Sequence, residues 1–226
     1  MTAKRTASLL ILAAVLANVA FTALASVFNY PDVLDEPAGE VLAAFRDNQG
    51  AVSAWFSVLA LSAALLAPIA IGVGRLSRRR AMRIAVPVGI TAAAVQVIGL
   101  LRWPILVPGY ASGGDAKSFT TASDILGTAL GETVGYLLTA TWTALVVVAL
   151  GRRFAGRWFQ VLGAVSASLV LAGVLSPLGL PVIDTANFFG YVLWSVWLIA
   201  LAVVILIHER RHATSPASTT QAAVTS

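Results

Sequence analysis

Glu132 places a carboxylate inside an apolar run, Asp124 to Leu150, that is long enough to cross a bilayer. An ionisable side chain in hydrocarbon is expensive and marks a place to look for binding or chemistry. Arg102 is a second such residue, in the preceding apolar run next to Trp103 and Pro104. An acid and a base of this kind can form an ion pair, hold a charged solute, or load a proton beside a fixed cation. Gly127, Gly131 and Gly135 recur every four residues beside Glu132. On a helix they form one smooth stripe that a neighbouring backbone can approach closely. A wheel drawn at about 100° per residue puts Asp124, Thr128, Tyr136, Thr139 and Thr143 next to that stripe. Arg102, Asp124, Glu132, Tyr136 and Thr139 are therefore the candidate substrate-binding or ion-pair residues, and the three glycines are helix-packing candidates.

Two readings of the polar face stay open. It lines a cavity that binds a solute or relays a proton, or it supplies interhelical hydrogen bonds that fix the bundle. The glycine stripe meets either another helix of this chain or a second copy of it.

The elements that must position these residues follow from composition. The chain has 226 residues, 58% of them hydrophobic and 11% charged, with a mean hydropathy of +0.87. Soluble domains carry about 25% charged residues. This balance implies insertion in a membrane. Six apolar runs have spanning length, at about 7–28, 51–74, 84–107, 124–150, 158–180 and 188–207. Ala23-Leu24-Ala25 resembles a signal cleavage site, but the first run is longer than a signal core, which argues for a retained helix. Between spans one and two, Pro37 can open a short helix with Val41, Leu42 and Phe45 on one face, lying on the membrane surface; an acidic solvated loop is the competing reading. Residues 108–123 read as a glycine-rich polar loop and 181–187 as a short turn. Residues 208–226 read as a cytoplasmic tail, basic and then disordered.

Charge sorts the loops. Of the 15 basic residues, all but Arg46, Arg102 and Lys117 fall on one side of the six spans. Asp32, Asp35, Glu36, Glu40, Asp47, Asp115, Asp124 and Asp184 fall on the other. The positive-inside rule then predicts an all-α integral membrane bundle of six transmembrane helices in the plasma membrane, with both termini cytoplasmic. The basic loops need no nucleic acid. Their partners are the bilayer and anionic lipid head groups on the cytoplasmic side. A protein partner or a homo-oligomer stays open.

Several chemistries are excluded or disfavoured. With no cysteine there is no disulfide, thiolate metal site or iron–sulfur cluster. The two histidines, His208 and His212, stand in the basic tail, which argues against bis-histidine haem and a serine–histidine protease. His208, Glu209 and His212 read as a solvated helix end rather than a metal grip. Gly113-Gly114 lacks the Lys-Ser/Thr of a phosphate loop. No cofactor, metal or catalytic residue is expected.

At 1.5 Å per residue Glu132 lies about 12 Å and Arg102 about 9 Å from the outer ends of their helices, so a Glu132–Arg102 ion pair across antiparallel neighbours is expected. The third and fourth spans are expected near the centre of the bundle.

The segments Tyr30-Pro31-Asp32-Val33-Leu34, Glu36-Pro37, Gly99-Leu100-Leu101-Arg102-Trp103-Pro104 with Val107-Pro108, Gly131-Glu132 with Gly135-Tyr136, and Gly190-Tyr191-Val192-Leu193-Trp194 carry a resemblance. Over residues 7–207 the chain resembles the bacterial membrane proteins grouped as domain of unknown function 4386. The resemblance implies a six-helix membrane protein and brings no catalytic residue or substrate. Three functions follow as expectations. The first is a non-enzymatic membrane protein organised around Glu132 and Arg102. The second is a small permease with an outward-facing polar cavity at Arg102, Glu132, Tyr136 and Thr139. The third is a lipid-modifying enzyme using Asp32, Asp35 and Asp184.

Reporter fusions after Arg83, Arg157 and Arg211 are expected to report the cytoplasmic side. An extracytoplasmic signal at any of them overturns this topology.

Overall fold

Long apolar runs leave the backbone no polar solvent, so each run closes its own hydrogen bonds as a helix. The computed structural model describes residues 2–213, in which six helices are long and apolar enough to cross a membrane. The chain runs through α1 (Ala3–Phe28), α2 (Ala38–Asp47), α3 (Gln49–Gly74), α4 (Arg80–Ile105), α5 (Val107–Gly113) and α6 (Ala116–Ala122). A π-helical segment, Ser123–Val134, leads into α7 (Gly135–Leu150). Then come α8 (Arg152–Ala155), α9 (Arg157–Ala172), a 3-10 turn (Gly173–Leu178) and α10 (Pro181–Ala213).

Local chemistry sets several boundaries. Thr2 caps α1, its hydroxyl accepting the Arg5 N–H at 3.3 Å, and Asn29 ends that helix with φ 50°. Asp115 caps α6 by accepting the Ser118 N–H at 3.0 Å, and this bond holds its carboxyl below the usual range. The cap's electrostatic support is therefore present above that range and lost on acidification. At the other end of the bundle, Ser77 and Arg79 donate to the Ala149 and Val148 carbonyls, closing the C-terminus of α7.

The six long helices pack as a closed ring in chain order: α1 on α3, α3 on α4, α4 on α7, α7 on α9, α9 on α10, and α10 back on α1. The third and fourth spans are thus members of the ring rather than its centre, because each long helix packs mainly on its two chain neighbours. Antiparallel succession brings Lys4, Arg5, the arginines of 75–83, Arg152, Arg153, Arg157, Arg210 and Arg211 to one end. We call this the arginine end and the opposite one the cap end. Ile11, Leu12, Val15, Leu61, Ile98, Val148 and Ile199 stay exposed on the outside, as a lipid-facing surface requires.

Two large cores and a small cluster of Ala140, Ala167 and Val170 divide the interior among the described residues. At the arginine end Trp142, Trp197, Phe159, Ile69, Met82 and Leu198 are buried together. At the cap end Phe28, Phe45, Phe56, Trp103, Val107, Ala111 and Phe119 form a second cluster. Trp103 is its hub: it stacks on Phe56 at 4.7 Å and meets Phe28 edge-on at 5.2 Å. The short helix with Val41, Leu42 and Phe45 on one face exists as α2, but that face is buried in this core rather than laid on a membrane surface. Arg46 donates to the Ala111 carbonyl at 3.1 Å and ties α2 to α5.

Other boundaries differ from expectation. Residues 107–122 form α5 and α6, turning at Gly114 with φ 65°, because Val107, Ala111 and Phe119 find a core to enter. Pro108 is compatible with this because it sits in the first turn of α5, where no N–H is needed. Residues 181–187 are the first turns of α10, not a loop, and residues 208–213 are its last turns rather than a free tail. There His208 Nδ1 donates to the Val204 carbonyl at 2.8 Å, and its ring stacks on Phe154 at 4.9 Å. The tail expectation for 214–226 lies outside the described residues.

Phe45→Ala should destabilise the protein by about 3–5 kcal/mol by opening the cap core. Exposed Glu40→Gln on the same helix should stay within about 0.5 kcal/mol. Thermal unfolding of the purified variants in detergent reads both; equal effects would show that the cap is not a packed unit.

Candidate functional site

The site is built where α4 meets the π segment. A methyl group placed on Gly99 would lie 2.8 Å from the Gly131 Cα and 2.8 Å from the Leu126 carbonyl oxygen. The two backbones therefore touch. On either side of that contact the stripe continues in antiparallel register. A Cβ at Gly127 would lie 2.7 Å from Arg102 Nη2, and one at Gly135 would lie 3.1 Å from Gln96 Cγ. The stripe thus packs internally against Gln96, Gly99 and Arg102, which recur every three residues along α4.

The π conformation revises the wheel. Its hydrogen bonds run from i to i+5, so residues four and five apart share a face instead of three and four. Asp124, placed beside Glu132 by α-helical periodicity, is exposed and makes no hydrogen bond or ion pair among the described residues. Tyr136, Thr139 and Thr143 lie beyond the π segment in regular α7, and there the polar face does hold together.

Arg102 is only 7% exposed. Its Nη1 donates to the Gly99 carbonyl at 2.7 Å, its Cζ lies 5.3 Å from the centre of the Trp103 ring, and its Nε has no partner among the described residues. At 1.5 Å per residue it stands about 33 Å along α4 from Arg80, near the cap-side boundary of a hydrocarbon layer about 30 Å thick. Glu132 is partly exposed and forms no hydrogen bond and no ion pair within 4 Å among the described residues. The expected direct Glu132–Arg102 ion pair is therefore absent as a contact. The physical reason is the seat of the guanidinium: it lies against Gly127, five residues before Glu132, and its short bond goes to its own helix. The two charges still act on each other through space, and Tyr30, Tyr136 and Asp184 share that field. Burial, aided by the Glu132 charge, pushes the Tyr30 phenol up to about 12, so it stays a neutral hydroxyl.

Behind this pair a line of neutral polar groups runs inward. Tyr136 meets Tyr191 edge-on at 5.6 Å. Gln96 Nε2 donates to Thr139 Oγ1 at 2.7 Å and reaches Tyr191 Oη at 3.5 Å. Thr143 Oγ1 donates to the Thr139 carbonyl at 2.9 Å and accepts the Trp194 indole N–H at 2.9 Å. Thr139 and Thr143 are both 0% exposed. Tyr30, Gln96, Tyr191 and Trp194 complete the site. In the sequence a lone intramembrane amide such as Gln96 reads as a packing group, and Phe188, Phe189, Tyr191, Trp194 and Trp197 read as an interfacial belt that extends inward. Phe188 and Phe189 do face outward, whereas Tyr191, Trp194 and Trp197 turn into the ring. Their spacing of three along α10 was the available signal. Asp32 and Asp35 remain exposed on the cap and Asp184 is exposed in the first turns of α10.

Gly99→Ala should destabilise by about 1–3 kcal/mol, since the added methyl meets backbone that cannot rotate away. Gly109→Ala, with nothing within 4 Å, should be tolerated. Thermal stability in detergent separates them, and a harmless Gly99→Ala would show that the backbones need not touch.

A family model described as Domain of unknown function (DUF4386) matches residues 6–202. Comparison with curated proteins and with solved structures gave no match. The match reaches into all six long helices and includes the Gly99–Gly131 contact, Arg102, Glu132 and the line of groups behind them. By that match the chain belongs to the DUF4386 family, a domain of unknown function, here in the form of a six-helix multi-pass membrane protein.

Proposed function

We propose that the chain is a non-enzymatic plasma-membrane protein, organised around Arg102 and Glu132, that works as a small permease for a polar solute. Its termini face the cytoplasm, its arginine end lies among anionic head groups, and its cap faces outward, as the basic residues argue. The observation that carries the reading is the state of the two charges. They lie within electrostatic reach, yet Glu132 has no hydrogen-bond partner among the described residues and Arg102 Nε has none. A pair that served only as cement would close on itself, because contact in a low dielectric is where opposite charges gain most. The helices are already held by glycine contact beside the pair. The unmade hydrogen bonds are then available to a solute that enters from the cap end, with Tyr136 and Thr139 next inward. The lipid-enzyme reading has no comparable support, since Asp32, Asp35 and Asp184 are exposed.

The test is stability without ligand. Glu132→Gln removes a charge and breaks no contact, so its melting temperature in detergent should equal or exceed that of the wild type. A structural pair would instead lose on the order of 1–3 kcal/mol in Glu132→Gln. Recovery of that loss in the Arg102→Gln/Glu132→Gln double variant would overturn the permease reading.

A further inference from the structure

The polar line behind Glu132 stops inside the ring. Thr143 lies about 11 Å along α7 from Leu150, at 1.5 Å per residue. Trp142, the residue before Thr143, stands level with it, and Trp197 and Phe159 lie nearer the arginine end; all three are fully buried. Trp142 meets Trp194 at 6.3 Å and Trp197 at 5.9 Å, and Trp197 stacks on Phe159 at 5.4 Å. The last polar member of the line is therefore in ring contact with the first member of the apolar plug.

Two of these indoles carry an anomaly. Among the described residues Trp142 Nε1 and Trp197 Nε1, like Trp103 Nε1 in the cap core, are buried without a hydrogen-bond partner. The Trp142 indole lies over Gly89 and that of Trp197 over Gly163, where a Cβ would lie 2.7 Å and 2.6 Å from the ring nitrogens. A buried N–H without an acceptor is costly, and native interiors keep few of them. Two in adjacent rings at the end of a polar line are donors that gain a partner once water enters there. The groups already in the line are neutral: phenols, an amide, hydroxyls and an indole. They suit water and a small passenger rather than a second ionic binding site. Glu132 at the mouth is the carboxyl that can take up and release a proton. The groups facing it are Arg102 from α4, Asp184 and Tyr191 from α10, Tyr30 from the segment after α1, and Tyr136 from its own helix.

Building on the permease reading, we propose that its coupling ion is the proton, loaded on Glu132 and carried on water along Tyr191, Gln96, Thr139 and Thr143, with Trp142 and Trp197 as the barrier toward the arginine end. Glu132 receives a proton from the cap side and passes it to water in the line. When the indoles part, that water reaches the arginine end, so one proton crosses for each proton Glu132 takes up.

The experiment uses the full chain in liposomes that contain a pH-sensitive dye, with an imposed potassium–valinomycin potential. Trp142→Ala and Trp197→Ala should raise proton flux on the order of tenfold over wild type, the change that a barrier lowered by about 1.4 kcal/mol produces. Adding Glu132→Gln should return the flux to that of protein-free liposomes. A flux that ignores Glu132, or folded tryptophan variants that conduct no protons, overturns the inference. Infrared difference spectra cover the case in which the tryptophan variants do not fold. Intact wild type in D2O should show a carboxyl band that shifts on exchange and is missing from Glu132→Gln; a Glu132 carboxyl sealed from exchange also overturns the inference. The permease reading fails separately, on the stability of Glu132→Gln, so the two failures are distinguishable.

Discussion

The cap-side half of the bundle depends on how closely two backbones approach at Gly99 and Gly131. Without side chains at either position α4 and the π segment touch, with the Leu126 carbonyl turned toward Gly99. That contact sets the register of everything beside it. One step toward the cap, the Arg102 guanidinium lies flat on Gly127; one step inward, Gln96 lies on Gly135 and reaches Thr139. Because Trp103 follows Arg102, the same register delivers its indole to the middle of Phe28, Phe45, Phe56 and Phe119. Packing in a membrane lacks a hydrophobic drive between helices, so close approach of this kind carries weight that Leu-rich surfaces cannot.

The closed ring explains why polar groups survive inside. Each long helix spends its apolar outer face on lipid and its flanks on two neighbours, and what remains points inward. At the arginine end the inward residues are apolar, with Trp142, Trp197 and Phe159 the largest of them. Between these and the aromatic cap core they include Gln96, Thr139, Thr143 and Tyr191, which hydrogen-bond one another, and Tyr136, whose ring meets Tyr191. Among the described residues the buried exceptions are Ser53 Oγ, Arg102 Nε and the indole nitrogens of Trp103, Trp142 and Trp197, beside the partly exposed Glu132 carboxylate. An interior that pairs most of its polar atoms and leaves these few unmatched differs from one that is loosely packed throughout.

The π segment is the least expected element and the one that most alters the site. Along it Asp124 stays exposed, and the guanidinium of Arg102 rests on Gly127 rather than on the carboxylate. Long π helices are rare, and short ones concentrate at functional sites. Here the segment carries the one acid of the bundle's membrane-spanning part that lies beside a buried arginine.

The sequence by itself determined six spans, the collection of basic residues at one end, the glycine stripe and the identity of the two intramembrane charges. These are statements about composition and spacing, and a lipid solvent enforces them locally, helix by helix. It also marked Val41, Leu42 and Phe45 as one face of a short helix. What that face covers could not be read, because the answer lies on α1, α3, α4 and α6, in Phe28, Phe56, Trp103 and Phe119. Residues 108–123 read as loop for the same reason: Gly109, Gly113 and Gly114 argue for a turn, and only a neighbouring core makes α5 and α6 there. The tertiary structure alone decided that α1 closes the ring on α10, that Tyr191, Trp194 and Trp197 face in while Phe188 and Phe189 face out, and that residues 123–134 wind as a π helix. Each of these turns on which neighbour a helix meets and how near it comes, a quantity that no spacing within one helix contains. Arg102 and Glu132 lie at matching depth on neighbouring helices, as counting residues suggested, yet they do not touch, because the guanidinium seats on Gly127 and bonds the Gly99 carbonyl of its own helix, a choice that depth along two helices does not contain.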